Sequence, residues 1–115
     1  MKYKGNCHCG RVAFEVEGTI EGALACNCSM CERKGSLLWF VPRDKLRLTT
    51  PESSLSTYTF NKHVIKHRFC AGCGIHPFGE GIDQKGNATA AVNIRCLEGI
   101  DLAAIPVNHF DGRSR

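Results

Sequence analysis

Gly5-Asn6-Cys7-His8-Cys9-Gly10 near the start of the chain and Phe69-Cys70-Ala71-Gly72-Cys73-Gly74 far beyond it are the two stretches that decide the fold. Each sets two cysteines close together between glycines, as a metal knuckle requires. The backbone must fold tightly round an ion, and glycine lets it do so without side-chain collision. A disulfide within Cys7-His8-Cys9 would close a very small ring and strain the bond's preferred geometry. A four-coordinate structural zinc takes its ligands from two short motifs distant in sequence, and Cys7, Cys9, Cys70 and Cys73 meet that demand. Such a site would tie the first strand to the middle of the chain.

Between these motifs lies Cys26-Asn27-Cys28-Ser29-Met30-Cys31, three thiols in a single loop. Their spacing lets all three point at one ion. Three protein ligands leave the fourth position open, the mark of a reactive rather than a closed site. Three thiolates also outweigh the charge of a zinc dication, so the metal is a weak Lewis acid. It is better suited to holding an incoming thiol as thiolate and presenting it to an electrophile. Cys96, in Val92-Asn93-Ile94-Arg95-Cys96-Leu97, has three readings: a buried thiol without a metal, a residue near a site, or the fourth ligand of the second site. His8, His67 and His76 lie near the cysteine motifs and read as packing or supporting residues, since the thiolates already fill the need. His63 and His109 carry no expectation. Arg95 is a candidate anchor for the carboxylate of a thiol substrate, because its planar fork suits carboxylates and Asn93 beside it adds an amide.

Eight cysteines in 115 residues is a high count, and the compartment decides how to read it. The N-terminus Met1-Lys2-Tyr3-Lys4-Gly5 has no apolar stretch behind its lysines, so no secretory signal is visible and a cytoplasmic protein with reduced thiols is expected. No apolar run approaches the roughly 20 residues of a membrane span. The length fits one domain over residues 1–115, burying only roughly two-thirds of its unfolded surface, and small cores of this kind commonly take a metal staple. A net charge of +4 is mild. Lys62, Lys66 and Arg68 share a segment but have no interleaved aromatic residues, so they read as a solvated face and a nucleic-acid partner is not expected.

Residues 11–17 alternate, with Val12, Phe14 and Val16 on one face, and predict a half-buried strand bounded by Gly10 and Gly18. The run Leu37-Leu38-Trp39-Phe40-Val41, stopped by Pro42, predicts a well-buried strand. Further strands are expected at 46–49, 55–60, 64–69 and 88–94, with helical turns within 31–36 and 100–105. No long amphipathic helix is present. The class is mainly β.

Gly5 to Phe14, Cys26-Asn27-Cys28-Ser29-Met30-Cys31 and Phe69 to Gly74 together resemble the glutathione-dependent formaldehyde-activating enzyme family, whose domain also occurs in centromere protein V. Thr57-Tyr58-Thr59-Phe60-Asn61, followed by His63 and His67, is similar to the matching stretch. The resemblance runs from about Lys4 to the end. It implies the Mss4-like fold, a twisted β "tent" of sheets clamped by zinc. It also implies a structural zinc at Cys7, Cys9, Cys70 and Cys73, and a catalytic-type zinc at Cys26, Cys28 and Cys31, which its open position predicts to be the more labile of the two. The implied activity joins glutathione, or a similar small thiol, to formaldehyde, formally a carbon–sulfur lyase run in reverse. The alternative it carries is a non-enzymatic zinc module for protein or nucleic-acid interaction.

Overall fold

The computed structural model describes residues 1–59 and 64–111. The alternation at 11–17 is realised as strand β2, Ala13–Glu17, in which Phe14 and Val16 are buried and Glu17 is exposed, with Val12 buried just before it. It pairs antiparallel on one side with β1, Lys2–Asn6, and on the other with β5, Leu46–Leu48, making a three-stranded sheet. The second sheet is built from β3 (Ala23–Cys26), β4 (Leu38–Pro42), β6 (Leu55–Tyr58), β7 (Lys66–Cys70), β8 (Phe78–Ile82), β9 (Ala88–Asn93) and β10 (Val107–Phe110). Its order is β10-β3-β4-β9-β8-β7-β6, antiparallel except where β10 runs parallel to β3. A single short helix, α1 (Ser29–Lys34), follows β3 among the described residues. The protein is mainly β, as the sequence predicts.

The two sheets meet through aromatic edges. Phe14 of β2 packs against Phe78 of β8 with ring centroids 5.8 Å apart, and Tyr3 of β1 against Trp39 of β4 at 5.7 Å. Edge-to-face contacts of this kind add to the area they bury. Gly5 lies opposite Phe14 in the β1–β2 register, and a Cβ there would run into the Phe14 ring. The glycine that opens the first knuckle motif thus also makes room for the fully buried Phe14 ring.

Several expectations change in detail. The 37–41 run is not buried on both faces: Trp39 and Val41 point inward while Phe40 is 53% exposed, because the seven-stranded sheet leaves that face uncovered there. The 88–94 strand ends at Asn93, whose side chain accepts from Arg95 N and turns the chain into a single 3-10 turn over Ile94–Cys96. The helical turn in 31–36 starts earlier, as α1, and that in 100–105 is a 3-10 turn at Leu102–Ala104 capped by Asp101. The 55–60 strand is present as β6 to Tyr58, with Phe60 outside the described residues, as is His63. Strands β1, β3, β8 and β10 were not expected. In β8, Phe78-Gly79-Glu80-Gly81-Ile82, two glycines hide a strand that is central to the sheet.

The Lys66–Arg68 segment is not a free basic face. Arg68 is buried, pairs with Glu52, and donates to Glu80 Oε1 at 3.2 Å, which also faces Arg43 Nε at 3.5 Å.

Gly5→Ala is expected to overpack the Phe14 site and destabilise by about 1–3 kcal/mol, a fall in melting temperature of roughly 4–8 °C per kcal/mol. A thermal melt of the metal-loaded protein unchanged by the substitution would show that the Phe14 ring yields freely.

Candidate metal centre

The first knuckle is the turn between β1 and β2. Cys7 N donates to Val12 O at 3.0 Å and Val12 N donates to Cys7 Sγ at 3.3 Å, while Gly10 takes φ 86°, a conformation open to glycine at little cost. The second knuckle leaves the end of β7. Cys70 N donates to Ile75 O, Gly74 N to Cys70 O, and both Gly72 N and Cys73 N to Cys70 Sγ, at 3.3 and 3.4 Å. Arg11 of the first knuckle lies across Gly72 of the second, where a Cβ would stand 3.0 Å from its Nη1.

Cys7, Cys9, Cys70 and Cys73 bring their sulfurs within 4.8 Å of one another. Cys7 and Cys9 are 3.7 Å apart and Cys9 and Cys70 3.5 Å. A tetrahedron with metal–sulfur bonds of about 2.3 Å has sulfur–sulfur edges of about 3.8 Å, so the spacing fits a four-thiolate metal site. Backbone donors favour the ionised form. The N–H of Ile75, then that of Cys9, hold the Cys73 thiol down to about 6, and the N–H of Cys73 leads the lowering at Cys70.

The second cluster is built differently. Cys26 is the last residue of β3, Cys28 caps the start of α1 and Cys31 sits in its first turn. Cys28 N donates to Cys26 Sγ and Cys31 N to Cys28 Sγ, both at 3.4 Å. The helix is closed by Gly35, whose N–H reaches Cys31 O at a φ of 68°. These three sulfurs also lie within 4.8 Å of one another, all half-buried, and no fourth cysteine, histidine or carboxylate joins them among the described residues. Burial is the largest influence on Cys28 and works against its thiolate, yet the N–H of Cys31 together with hydrogen bonds from the Cys31 and Cys26 thiols and the Met30 N–H outweighs it and the pKa is lowered, whereas burial pushes Cys31 up to about 12.

Cys96 joins neither cluster. Burial first, then the Cys7 and Cys73 sulfurs, push its thiol up to about 11, so it stands toward the four-sulfur cluster and not the three-sulfur one. It is partly exposed, with Asn93 Nδ2 at 3.7 Å. His8 is exposed and His109 lies on the exposed strand β10. His67 and His76 both line a cavity of about 500 Å³ that runs from α1 to the exit of the second knuckle, together with Met30, Lys34, Ile75 and Asn93. Arg95 is exposed, its Nε donating to Gly35 O at 3.3 Å beyond the end of α1, and the cation in the cavity lining is Lys34. Sequence reasoning did not single out Lys34. Its place one helical turn after Cys31 was the available signal. A larger hollow of about 720 Å³, beside Phe40, Arg43 and Asp83, contains neither cysteine nor histidine in its lining.

Fold and site together define a small β domain in which cysteine knuckles provide one four-sulfur and one three-sulfur cluster able to hold metal ions. Residues 2–110 match the family described as glutathione-dependent formaldehyde-activating enzyme, and the chain belongs to that family. It is also similar to the crystal structure of a Rhodobacter sphaeroides protein determined as a structural-genomics target. That similarity has 32% identity and a TM-score of 0.78, over 91% of this chain and 99% of the other. No helix among the described residues is long and apolar enough to cross a membrane.

The four-sulfur cluster joins the two sheets, whereas the three-sulfur cluster stays within β3 and α1. Cys70→Ser is therefore expected to unfold the domain, since a zinc site contributes roughly 10–16 kcal/mol against a net stability of about 5–15. Cys28→Ser is expected to leave a folded protein binding one ion fewer. Thermal melts with and without chelator, paired with metal analysis, check both. Equal melting losses from the two variants would overturn the distinction.

Proposed function

We propose that the protein is a zinc-dependent enzyme of the carbon–sulfur lyase type, joining a thiol such as glutathione to formaldehyde or a related small electrophile. In this reading Cys7, Cys9, Cys70 and Cys73 hold a structural zinc, and Cys26, Cys28 and Cys31 hold the zinc at which chemistry occurs. One asymmetry carries the proposal: four sulfurs complete the first cluster, whereas only three form the second, on a helix whose Met30 and Lys34 line a cavity. A tetrahedral ion would be closed by the first set and left with one exchangeable position by the second. The family match supports the thiol and the aldehyde as substrate classes. Eight free cysteines fit a cytoplasmic location, where thiols stay reduced.

When bound at the three thiolates, zinc supplies a centre that keeps an incoming thiol ionised near neutral pH. The chain's own residues fix the geometry: the N–H groups of Cys28 and Cys31 orient the Cys26 and Cys28 sulfurs, and Gly35 ends the helix so that Lys34 lies at the cavity. In the reaction the substrate sulfur donates an electron pair to the carbonyl carbon and a carbon–sulfur bond forms. The carbonyl π pair moves to oxygen, which takes up one proton, matching the one lost when the thiol ionised. The product is the S-hydroxymethyl derivative of the thiol, a thiohemiacetal, when the aldehyde is formaldehyde. A nucleic-acid-binding module gains no support from the basic segment, because Arg68 is buried in ion pairs.

Cobalt-substituted protein titrated with glutathione should change its visible spectrum, and Cys28→Ser should abolish the change. Wild type should also speed the exchange of glutathione with its formaldehyde adduct, followed by NMR, at least about tenfold more than Cys28→Ser does. A cobalt spectrum indifferent to thiols would sink the enzymatic reading.

A further inference from the structure

The cavity lined by Met30 and Lys34 of α1, the helix that also carries Cys31, has apolar walls of Met30, Phe69 and Ile75 and a polar side formed by Lys34, His67, His76 and Asn93. These four side chains come from α1, β7, the exit of the second knuckle and the end of β9, and only the fold brings them together. Few polar groups converging in a largely apolar hollow are the usual build of a small-molecule site.

Their hydrogen bonding restricts the ligand. Lys34 Nζ lies 3.2 Å from His67 Nδ1. A lysine ammonium only donates, so Nδ1 is the acceptor and the His67 proton sits on Nε2, leaving that ring neutral. The His76 ring stands 6.0 Å from that of His67, centroid to centroid, and both of its nitrogens are buried with no partner among the described residues. Buried polar atoms are rarely left so, and a pair of unmet nitrogens at a cavity wall marks a place for a ligand or for water. The loop under His76 is held, because Asn93 Nδ2 donates to the His76 carbonyl at 3.0 Å. Burial, reinforced by the Lys34 charge, keeps both rings neutral. The polar side of the cavity therefore offers one positive charge, on Lys34, and the unmet ring nitrogens of His76. That set matches a monoanion with oxygen acceptors.

We propose that this polar side binds the carboxylate of the thiol substrate, with Lys34 supplying the charge and His76 a directed hydrogen bond, while the thiol reaches the three-sulfur cluster. The substrate class is then a thiol carrying a carboxylate, and not any small thiol. The proposal rests on the reading of Cys26, Cys28 and Cys31 as the thiol-receiving metal site, but the two can fail separately.

Two titrations of metal-loaded protein separate them. In the first, propanoate, which has no thiol, is added while the histidine imidazole resonances are followed by NMR. His76 and His67 should shift saturably, and Lys34→Met should weaken binding about ten- to a hundredfold, as expected for a hydrogen bond to a charged group. In the second, cobalt-substituted wild type and Lys34→Met are titrated with mercaptoacetate and with mercaptoethanol. Lys34→Met should weaken mercaptoacetate about ten- to a hundredfold more than it weakens mercaptoethanol, while Lys34→Arg keeps most of the preference. If the variant weakens both thiols equally, Lys34 only balances the charge of the metal cluster and the proposal falls. Absence of any propanoate effect on wild type overturns it too, and needs no variant to fold. Propanoate binding without any thiol response would instead leave the carboxylate site standing and remove the thiol chemistry.

Discussion

The Cys7–Cys9 turn belongs to the three-stranded sheet and the Cys70–Cys73 turn to the seven-stranded one, so bringing their sulfurs within 4.8 Å fixes how the two sheets sit on each other. Four thiolates so close repel one another unless a cation holds them, and the backbone favours ionised sulfur there. N–H groups of Val12, Gly72 and Cys73 point at sulfur, and Arg11 crosses from one knuckle to the other over Gly72. The apolar contacts follow the same line. Gly5 leaves room for the Phe14 ring, which meets Phe78 of the other sheet, and Leu97 returns beside Gly5 in a lone bridge. In a domain this small, the core and the four-sulfur cluster are one device: each holds the sheets at the spacing the other needs.

What was legible in the sequence follows from distance along the chain. The knuckles were legible because a few residues fix how closely their sulfurs can approach, so Cys7-x-Cys9, Cys70-x-x-Cys73 and the 26–31 loop announce clusters before any fold is known. Strand β2 was legible because its alternation is undiluted. Strands β1 and β10 were not, since both are mostly exposed and show no apolar period. Strand β8 was hidden by Gly79 and Gly81, residues whose usual message is a turn. The cavity was illegible for a different reason. Lys34, His67, His76 and Asn93 are unremarkable singly, and their meeting depends on the strand order β9-β8-β7 and on α1 reaching back over it. Arg95 drew notice for its neighbours in sequence, but the turn at Ile94–Cys96 leads its side chain to the carbonyl of Gly35.

The two clusters differ in a way that bears on what each can do. In the first, the ligands come from separate sheets, Cys7 and Cys70 are buried, and the fold itself closes the set. In the second, all three thiols sit within one loop and the first turn of a six-residue helix, so an ion there could come and go without parting the sheets. Exchange at an open position is compatible with folding only under that separation of roles. A single cluster asked to do both would loosen the domain whenever substrate entered.

Charge gives the separation its last element. On the proposed reading, zinc held by three thiolates would carry one negative charge and the substrate thiolate would add a second, so the site would gain charge as it took up substrate. Lys34, one turn beyond Cys31 on the same helix, is the cation that feels both Cys31 and Cys28. Half-buried, it exerts its field through less water than a surface lysine would. Its hydrogen bond to His67 directs the ammonium toward the imidazole pair as well. The same ammonium can therefore offset the growing charge of the cluster and meet an anionic group on the ligand that brings that charge. A neutral lysine would do neither, and the sulfurs of Cys31 and Cys28 act to keep it protonated against the burial that pulls its pKa down. On the proposed reading, substrate charge and cluster charge would converge on one side chain, placed by the helix that carries Cys31.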